Sequence, residues 1–245
     1  MNAKMKVLAL ALIGLAGYAG SAVAGCPSSP VPPWSSTSVL PPSTSSFQIA
    51  AGGLDGSACK STSSLGPSLT ASATVRDDTP NAEPRYRFQF LVDGDALGTF
   101  STTDSVVVFS APATTATNGV PRLLRVSMVA GPGGAKRLRF IATCGSAPFT
   151  CAQSSSVDLL AGTNRVEGDY DTGAQTFRWW INAAAGTTEP AADGTIAIGD
   201  VSAWGGVDAG VLGLVAPSGS FKNNHATQPA SFDTFDSRRT TYIGS

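Results

Sequence analysis

Residues 164–182, NRVEGDYDTGAQTFRWWIN, have the pattern of two β-strands joined by a tight turn. In the second strand, Phe177 and Trp179 alternate with polar residues such as Arg178. Successive side chains of a strand point to opposite faces, so the alternation predicts one apolar face and one polar face. The sequence Asp-Thr-Gly at 171–173 supplies residues that are typical of the intervening turn. These residues therefore indicate a half-buried antiparallel sheet.

Similar strand patterns recur along the chain. Residues 85–92, RYRFQFLV, place Tyr86, Phe88 and Phe90 on one face. Further strands are predicted at residues 71–76, 105–110, 123–129, 136–142, 195–198 and 204–214. The chain also has 27 Gly and 16 Pro, and only 13% of its residues are charged, a composition typical of many short strands and turns. The sequence therefore predicts an all-β fold, an antiparallel two-sheet sandwich with few or no helices after the N-terminal segment.

Three segments are expected. Residues 1–25 have the charged start, the apolar core and the Ala-Val-Ala cleavage site of a signal peptide. Residues 26–46 are rich in Pro, Ser and Thr and are expected to form an extended lead-in, with Trp34 pinning it to the domain. Residues 47–245 are expected to form a single β-sandwich domain. No second apolar stretch reaches the roughly 20 residues of a spanning helix, so no membrane span is predicted.

The charge balance excludes one class of partner. Without the two lysines of the predicted signal peptide, 14 basic residues remain against 17 acidic ones. A chain with this balance has no overall basic surface for nucleic acid, so no nucleic-acid partner is expected.

Four cysteines indicate a compartment and raise an alternative. An even number of cysteines behind a signal peptide suggests disulfides, and Cys144 and Cys151 bracket a short loop, which pairs Cys26 with Cys59. The protein is then secreted or periplasmic. Alternatively, Val-Ala-Gly-Cys at 23–26 resembles the lipobox of bacterial lipoproteins, and Cys26 would carry a lipid anchor. No cysteine and histidine spacing predicts a metal site.

Three segments resemble parts of the concanavalin A-like, laminin G-like jelly-roll family: Asp169 to Gly173, Trp179 to Asn182, and Phe232 to Asp236. The resemblance spans about residues 47–243, and the chain also looks like bacterial secreted proteins of unassigned function. It implies a jelly-roll sandwich, a fold that carries lectins, hydrolases, lyases and adhesion modules. The family's outer groove is where sugars bind.

The catalytic motifs of this fold are incomplete. Glu167-Gly168-Asp169 begins the E-x-D-x-x-E pattern of the sandwich glycosidases, but Thr172 stands where the second Glu belongs. The Arg-Glu, Gln-Ile-His and Tyr-Phe-Lys stretches by which jelly-roll polysaccharide lyases resemble one another are missing. His225, the one histidine, is expected to be a solvated loop side chain. The chain is therefore expected not to be an enzyme.

Several aspartates raise the question of calcium, which laminin G-like domains sometimes bind. The pairs are Asp77-Asp78, Asp93 with Asp95, and Asp233 with Asp236. Their spacing specifies no calcium site, and turn and cap roles are the expected interpretation. No cofactor is therefore predicted.

Arginines stand opposite the apolar face in several predicted strands. If these strands are neighbours, Arg87, Arg125 and Arg178 would line one groove with an exposed Trp180. Trp offers a flat surface to a sugar ring, and Arg binds carboxylate or sulfate groups in a bidentate manner. Alternatively, these arginines pair with carboxylates on neighbouring strands.

The resulting hypothesis is a secreted, non-catalytic carbohydrate-binding or adhesion domain. Its partner is a cell-surface or extracellular polysaccharide, with acidic glycans as the candidates that the arginines suggest. A polysaccharide-degrading enzyme with an unrecognised site and a structural envelope protein without a small ligand are the alternatives.

Overall fold

The computed structural model describes residues 26–27, 34–113, 122–145, 150–152 and 156–244. The predicted signal peptide, residues 1–25, lies outside this range. Within the described residues the chain is almost entirely β, with 15 strands and one short α-helix. The strands are β1 (Ser36–Leu40), β2 (Ser46–Ala51), β3 (Cys59–Ser64), β4 (Ser72–Asp77), β5 (Arg85–Asp93), β6 (Ser105–Ala111), β7 (Leu124–Ala130), β8 (Lys136–Thr143), β9 (Thr150–Ala152), β10 (Val157–Asp158), β11 (Asn164–Asp171), β12 (Thr176–Ile181), β13 (Gly194–Ala197), β14 (Gly210–Val215) and β15 (Pro229–Arg238).

The strands form two antiparallel sheets. Sheet I has eight strands in the order β1-β4-β14-β6-β7-β8-β10, and β9 pairs with β8. Sheet II has seven strands in the order β13-β12-β11-β5-β15-β3-β2. Several neighbouring strands are distant in sequence, such as β4 beside β14 and β5 beside β15, as in a jelly roll, and this confirms the predicted sandwich. The two strands predicted in residues 164–182 are β11 and β12, and they lie in sheet II beside β5.

The inner faces of the two sheets share one hydrophobic core. Phe88 of β5 stacks on Phe109 of β6, with ring centroids 4.1 Å apart. Phe140 of β8 stacks on Trp179 of β12 at 4.7 Å. The alternation therefore assigned the inner face of both strong sheet II strands correctly. Gly168 of β11 is required here because any side chain at this position would collide with the ring of Phe88.

The lead-in contributes more structure than its composition suggests. Trp34 packs against Phe235, with ring centroids 4.6 Å apart, as expected for a pinning residue. The segment that follows, β1, pairs with β4 at the edge of sheet I. Residues 36–40 are therefore part of the sandwich rather than of an extended lead-in. Their Ser, Thr and Val residues suit an edge strand, although the surrounding prolines concealed it.

Both predicted disulfides are present, Cys26–Cys59 and Cys144–Cys151. The first ties the start of the described chain to β3. In this structure the sulfur of Cys26 is bonded to that of Cys59. Disulfides persist in oxidising compartments and indicate an extracellular or periplasmic protein. No helix among the described residues is long and apolar enough to cross a membrane.

The α-helix α1 (Gly219–Asn224) directly precedes His225, which was expected to lie in a loop. Its N-cap, Ser218, accepts a hydrogen bond from the N–H of Phe221. Phe221 is buried, and His225 follows one turn later with only 3% of its surface exposed. Short helices are easily missed in a Gly- and Asn-rich segment because only the cap and one apolar residue mark them.

Candidate active site

The outer face of sheet II divides into two regions. The covered patch lies on β5, β11 and β12 and consists of arginines, carboxylates and one tryptophan beneath later parts of the chain. Its members are Arg85, Arg87, Glu167, Asp169, Arg178 and Trp180. The open cavity lies beside it on the same face. The register explains the grouping, because Arg87 is opposite Asp169, and Asp169 is in turn opposite Arg178.

Asp169 is the centre of the covered patch. Its carboxylate has no exposed surface and contacts three guanidinium groups. It accepts two hydrogen bonds of 3.0 Å from Arg85 and one of 3.0 Å from Arg87. Burial alone would raise the pKa of Asp169, but these hydrogen bonds and positive charges together hold the pKa below its usual value. The carboxylate is therefore ionised and neutralises the arginines around it.

Residues from a distant loop and from the C-terminal segment close the patch. Glu189 bridges Arg87 and Arg178, and its contact with Arg178 measures 2.7 Å. Glu167 accepts hydrogen bonds from the backbone N–H groups of Ile243 and Gly244 at 3.0 and 3.3 Å. Burial raises the pKa of Glu167, although these two N–H groups counteract the rise. The patch thus balances its positive charges with the protein's own carboxylates.

The structure brings three of the four predicted ligand-binding residues together. Arg87 and Arg178 lie 5.7 and 5.3 Å from the ring centroid of Trp180. Arg125 does not join them, because β7 belongs to sheet I. Trp180 is also not the exposed platform expected, since only 1% of its surface is accessible. Its indole N–H donates to the carbonyl of Pro190 at 3.0 Å beneath the covering loop.

The open cavity has a volume of about 510 Å³. It is lined by residues of β5, β11 and β15 and of the segments after β2 and β12, namely Leu54, Asp55, Gln89, Leu91, Thr163, Arg165, Asn182, Ala183 and Thr234. This volume lies in the range of pockets that bind small molecules, about 300–1,000 Å³. The lining contains one cation, one carboxylate and several amide and hydroxyl groups.

Gln89 is the most unusual residue of this cavity. It sits in the middle of β5, and neither its amide oxygen nor its amide nitrogen has a hydrogen-bond partner. The side chain is fully buried, so a ligand reaches it only when a neighbouring side chain moves. A buried polar group without a partner costs about 1–3 kcal/mol of stability. Such a cost at a cavity suggests that the amide is kept for a ligand.

Hydrogen bonds fix the walls of the cavity. The backbone N–H of Arg165 donates to the side-chain oxygen of Asn182 at 2.8 Å. Thr234 donates to Asp55 at 2.9 Å, which ties the loop after β2 to β15. Hydrogen bonds from Ser57, foremost its backbone N–H, and from Thr234 lower the pKa of Asp55, so this carboxylate is ionised and is a weak base.

The one histidine, His225, lies outside the cavity. It is buried, although it was expected to be solvated. His225 bonds through Nε2 to Asp104 at 2.8 Å and through Nδ1 to Gln228 at 3.0 Å. Its ring packs between Phe100 and Phe221. Burial opposes the charge on Asp104, but the hydrogen bond from His225 and others lower its pKa to about 2. This arrangement anchors α1 and provides no acid or base for the cavity.

The aspartates considered for calcium have structural partners. Asp77 and Asp93 accept hydrogen bonds from backbone N–H groups two residues later. Asp233 binds the N–H of Leu54 and the hydroxyl of Ser57, and Asp236 pairs with Arg238. Within the described residues no group of three or more His, Cys, Asp or Glu side chains is arranged to hold a metal ion. These observations agree with the turn and cap roles.

Gln89 and Arg165 were not among the residues predicted to bind a ligand. Both stand on the polar face of strands that alternate clearly, and this was the available signal. Alternation does not show that one amide lacks a partner or that the chain leaves a cavity beside it.

Comparisons with known proteins find structures of similar fold but assign no family. No family model matches the chain, and no curated protein does. The fold is similar to that of an endo-β-1,4-glucuronan lyase from the fungus Trichoderma reesei, with a TM-score of 0.61, 10% identity, and 89% of this chain and 95% of that chain covered. An alginate lyase from Pseudomonas aeruginosa aligns with a TM-score of 0.52 and 9% identity over 79% and 86%. Alginate lyase A1-II′, a member of polysaccharide lyase family 7, aligns with a TM-score of 0.51 and 9% identity over 80% and 84%.

These neighbours correct the functional hypothesis. They support the jelly-roll resemblance, while nothing in the sequence comparisons supports the finer likeness to bacterial secreted proteins. The expected non-catalytic binding domain is overturned, because the three structures above are all polysaccharide lyases that align over most of this chain. The expectation that the chain is not an enzyme was wrong for the same reason. It had relied on short motifs, which at about 10% identity need not persist when the fold does.

Proposed function

We propose that this protein degrades an acidic polysaccharide by lyase chemistry and that the open cavity binds the uronate at which the chain breaks. One observation carries the proposal: the buried, unpartnered amide of Gln89 lies at a cavity of about 510 Å³ that Arg165 also lines. The likeness to lyases supports the reaction class through the fold. An inert envelope protein without a ligand leaves the cost of this amide unexplained. The likeness of the fold to lyases favours a lyase over a binding domain.

A lyase must neutralise the carboxylate of the sugar. The proton on the adjacent ring carbon then passes to a base, for which Asp55 is the carboxylate of the cavity lining. The bond to the neighbouring sugar's oxygen breaks, a carbon–carbon double bond forms, and that oxygen receives a proton from water. Arg165 supplies a positive charge, and the amide of Gln89 supplies a hydrogen bond to the same carboxylate. Both stabilise the negative charge that develops when the proton leaves.

The same chemistry predicts the substrate class. A neutral glucan has no carboxylate to acidify the ring proton, so only uronate-containing chains qualify. The partner is accordingly a polysaccharide outside the cytoplasm, because the two disulfides fit an extracellular or periplasmic location. Export through residues 1–25 is part of this proposal.

The direct test is an incubation with glucuronan, alginate and a neutral β-glucan. We expect new reducing ends and ultraviolet-absorbing unsaturated products from at least one acidic polymer and neither from the neutral glucan. New reducing ends without unsaturated products would indicate a hydrolase and contradict the lyase proposal. No cleavage of any acidic polymer would overturn it as well.

Gln89→Leu separates catalysis from folding. Loss of a hydrogen bond to developing charge typically lowers kcat by about a hundredfold or more, and we expect a loss of this size. The free energy of unfolding should stay equal or rise, because an apolar side chain replaces an unsatisfied amide. Gln48→Leu is the matched control, since Gln48 lies exposed on β2 of the same sheet and does not line the cavity. Equal activity of both variants would remove Gln89 from the site.

A further inference from the structure

A second depression lies on the opposite side of the sandwich, on the outer face of sheet I. Its volume is about 240 Å³, and it is lined by residues of β6, β7, β8 and the end of β14, namely Ser105, Val106, Val107, Arg125, Ser127, Val129, Arg139, Ile141 and Ala216. The register of β7 and β8 places Ser127 opposite Arg139 and Arg125 opposite Ile141. We call this depression the Arg125 site.

The arginines of this site lack the partners that other arginines have. Arg125 is half-buried, and neither it nor Arg122 or Arg139 forms an ion pair with any residue in the described part of the chain. Burial first, and then the charges of Arg122 and Arg139, lower the pKa of Arg125. By contrast, Arg137 on the same face of β8 is paired with Asp158.

The segments outside the described ranges contain no acidic side chain that could pair with these arginines. Residues 1–25, 28–33, 114–121, 146–149 and 153–155 contain neither Asp nor Glu. A partly buried cation without a counter-charge is costly, and an anionic ligand would relieve that cost.

The lining also fits a sugar. Val107, Val129 and Ile141 supply apolar surface for the carbon face of a ring. Ser127, which pairs with Arg139 across the strands, supplies a hydroxyl group. The volume is several times the roughly 30 Å³ of one water molecule, so it accepts more than a solvent molecule. Apolar contact with two arginines close by matches a sugar that carries a carboxylate or sulfate.

We propose that the Arg125 site binds an anionic sugar residue of an acidic polysaccharide and is separate from the open cavity. The choice of polymer relies on the proposed function. The two sites lie on opposite faces of the sandwich, so one protein would contact two segments of polymer or two polymer chains. The second site would keep the protein attached to polymer between cleavage events, by raising the effective concentration of substrate.

The test is an NMR titration of the full-length protein with an alginate trisaccharide as the probe. We expect saturable shifts of the backbone amides of Ser127, Arg139 and Ile141. The double variant Arg125→Gln/Arg139→Gln should bind at these amides at least tenfold more weakly, since each lost charge-assisted hydrogen bond lowers affinity by about tenfold or more. Arg137→Gln is the matched control, because Arg137 lies on the same face of β8 but is paired with Asp158. This variant should bind the trisaccharide as the wild type does.

Each other outcome has a meaning. Unshifted sheet I amides, or equal shifts in the double variant, would overturn the site. Shifts with inorganic sulfate or with anionic phospholipid vesicles but not with the trisaccharide would identify an adventitious ion only or a lipid surface, and would overturn the polysaccharide assignment. Amides near Gln89 report on the other cavity in the same spectra. If no polymer is cleaved while the sheet I amides still shift, the proposed function fails and the Arg125 site stands.

Discussion

Two pairs of arginines in this protein have the same sequence pattern and opposite surroundings. Arg87 and Arg178 on sheet II contact Asp169 and Glu189 and lie under later segments of the chain. Arg125 and Arg139 on sheet I have no ion-pair partner among the described residues. The first pair is part of a balanced internal network. The second pair leaves its charge for something outside the chain.

This difference indicates which arginines are available to an anionic ligand. An arginine whose charge is already neutralised within the protein gains little from a substrate carboxylate, because binding must first break an existing pair. An arginine without a partner has no such cost. For this reason we assign anion binding to the Arg125 site and a structural role to the covered patch.

The largest effect on stability is expected for Asp169→Asn. This change removes the negative charge from beneath three arginines in a buried place, and breaking a buried pair typically costs about 3–5 kcal/mol. Chemical denaturation measures the loss. Asp158→Asn, which removes the partner of Arg137 at the surface, should cost at most about 1 kcal/mol. Equal losses in the two variants would mean that the covered patch is not a network.

A smaller effect is expected for Arg87→Met, and almost none for Arg125→Met. Arg87 has 1% of its surface exposed, and its removal leaves buried carboxylates short of one partner, so we expect a loss of about 3 kcal/mol. Arg125→Met removes no ion pair and should change the free energy of unfolding by about 0.5 kcal/mol or less. A large loss for Arg125→Met would reveal a structural role and contradict the comparison.

Glu189→Gln should have a modest effect. The side chain of Glu189 is 28% exposed and forms ion pairs with Arg87 and Arg178. Exposed ion pairs contribute up to about 1 kcal/mol to the free energy of unfolding. Hydrogen exchange should show faster opening of residues 183–193, which this carboxylate helps to hold over the patch. Unchanged exchange in this segment would mean that Trp180, through its bond to Pro190, is sufficient to hold it.

The last prediction concerns the loss of stability at acid pH. This loss does not occur near neutral pH. The folded-state pKa of Asp169 is lowered, so its contribution to stability is complete above the unfolded-state pKa of about 3.9. The contribution is lost as the pH falls through the folded-state pKa. The wild type should therefore lose stability more steeply than Asp169→Asn between about pH 5 and pH 2. Parallel curves for the two proteins would contradict the lowered pKa.

The sequence determined the local features of the fold. Alternation placed Phe177 and Trp179 in the core and Arg178 on the outer face, because successive side chains in a strand necessarily point to opposite sides. Cysteine spacing gave the bond between Cys144 and Cys151. Residues near in sequence are near in space in both cases, so no knowledge of the partner strands was needed.

Only the tertiary structure decided which strands are neighbours and what covers them. Alternation gives a side chain's face but not its sheet, so Arg125 was grouped with Arg87 although the two lie on opposite sides of the sandwich. Trp180 was expected to be exposed, but Pro190 and Tyr242 cover it. Charge neutralisation, burial and an amide left without a partner at Gln89 all depend on residues far apart in the chain, and a two-residue period contains no information about such distant contacts.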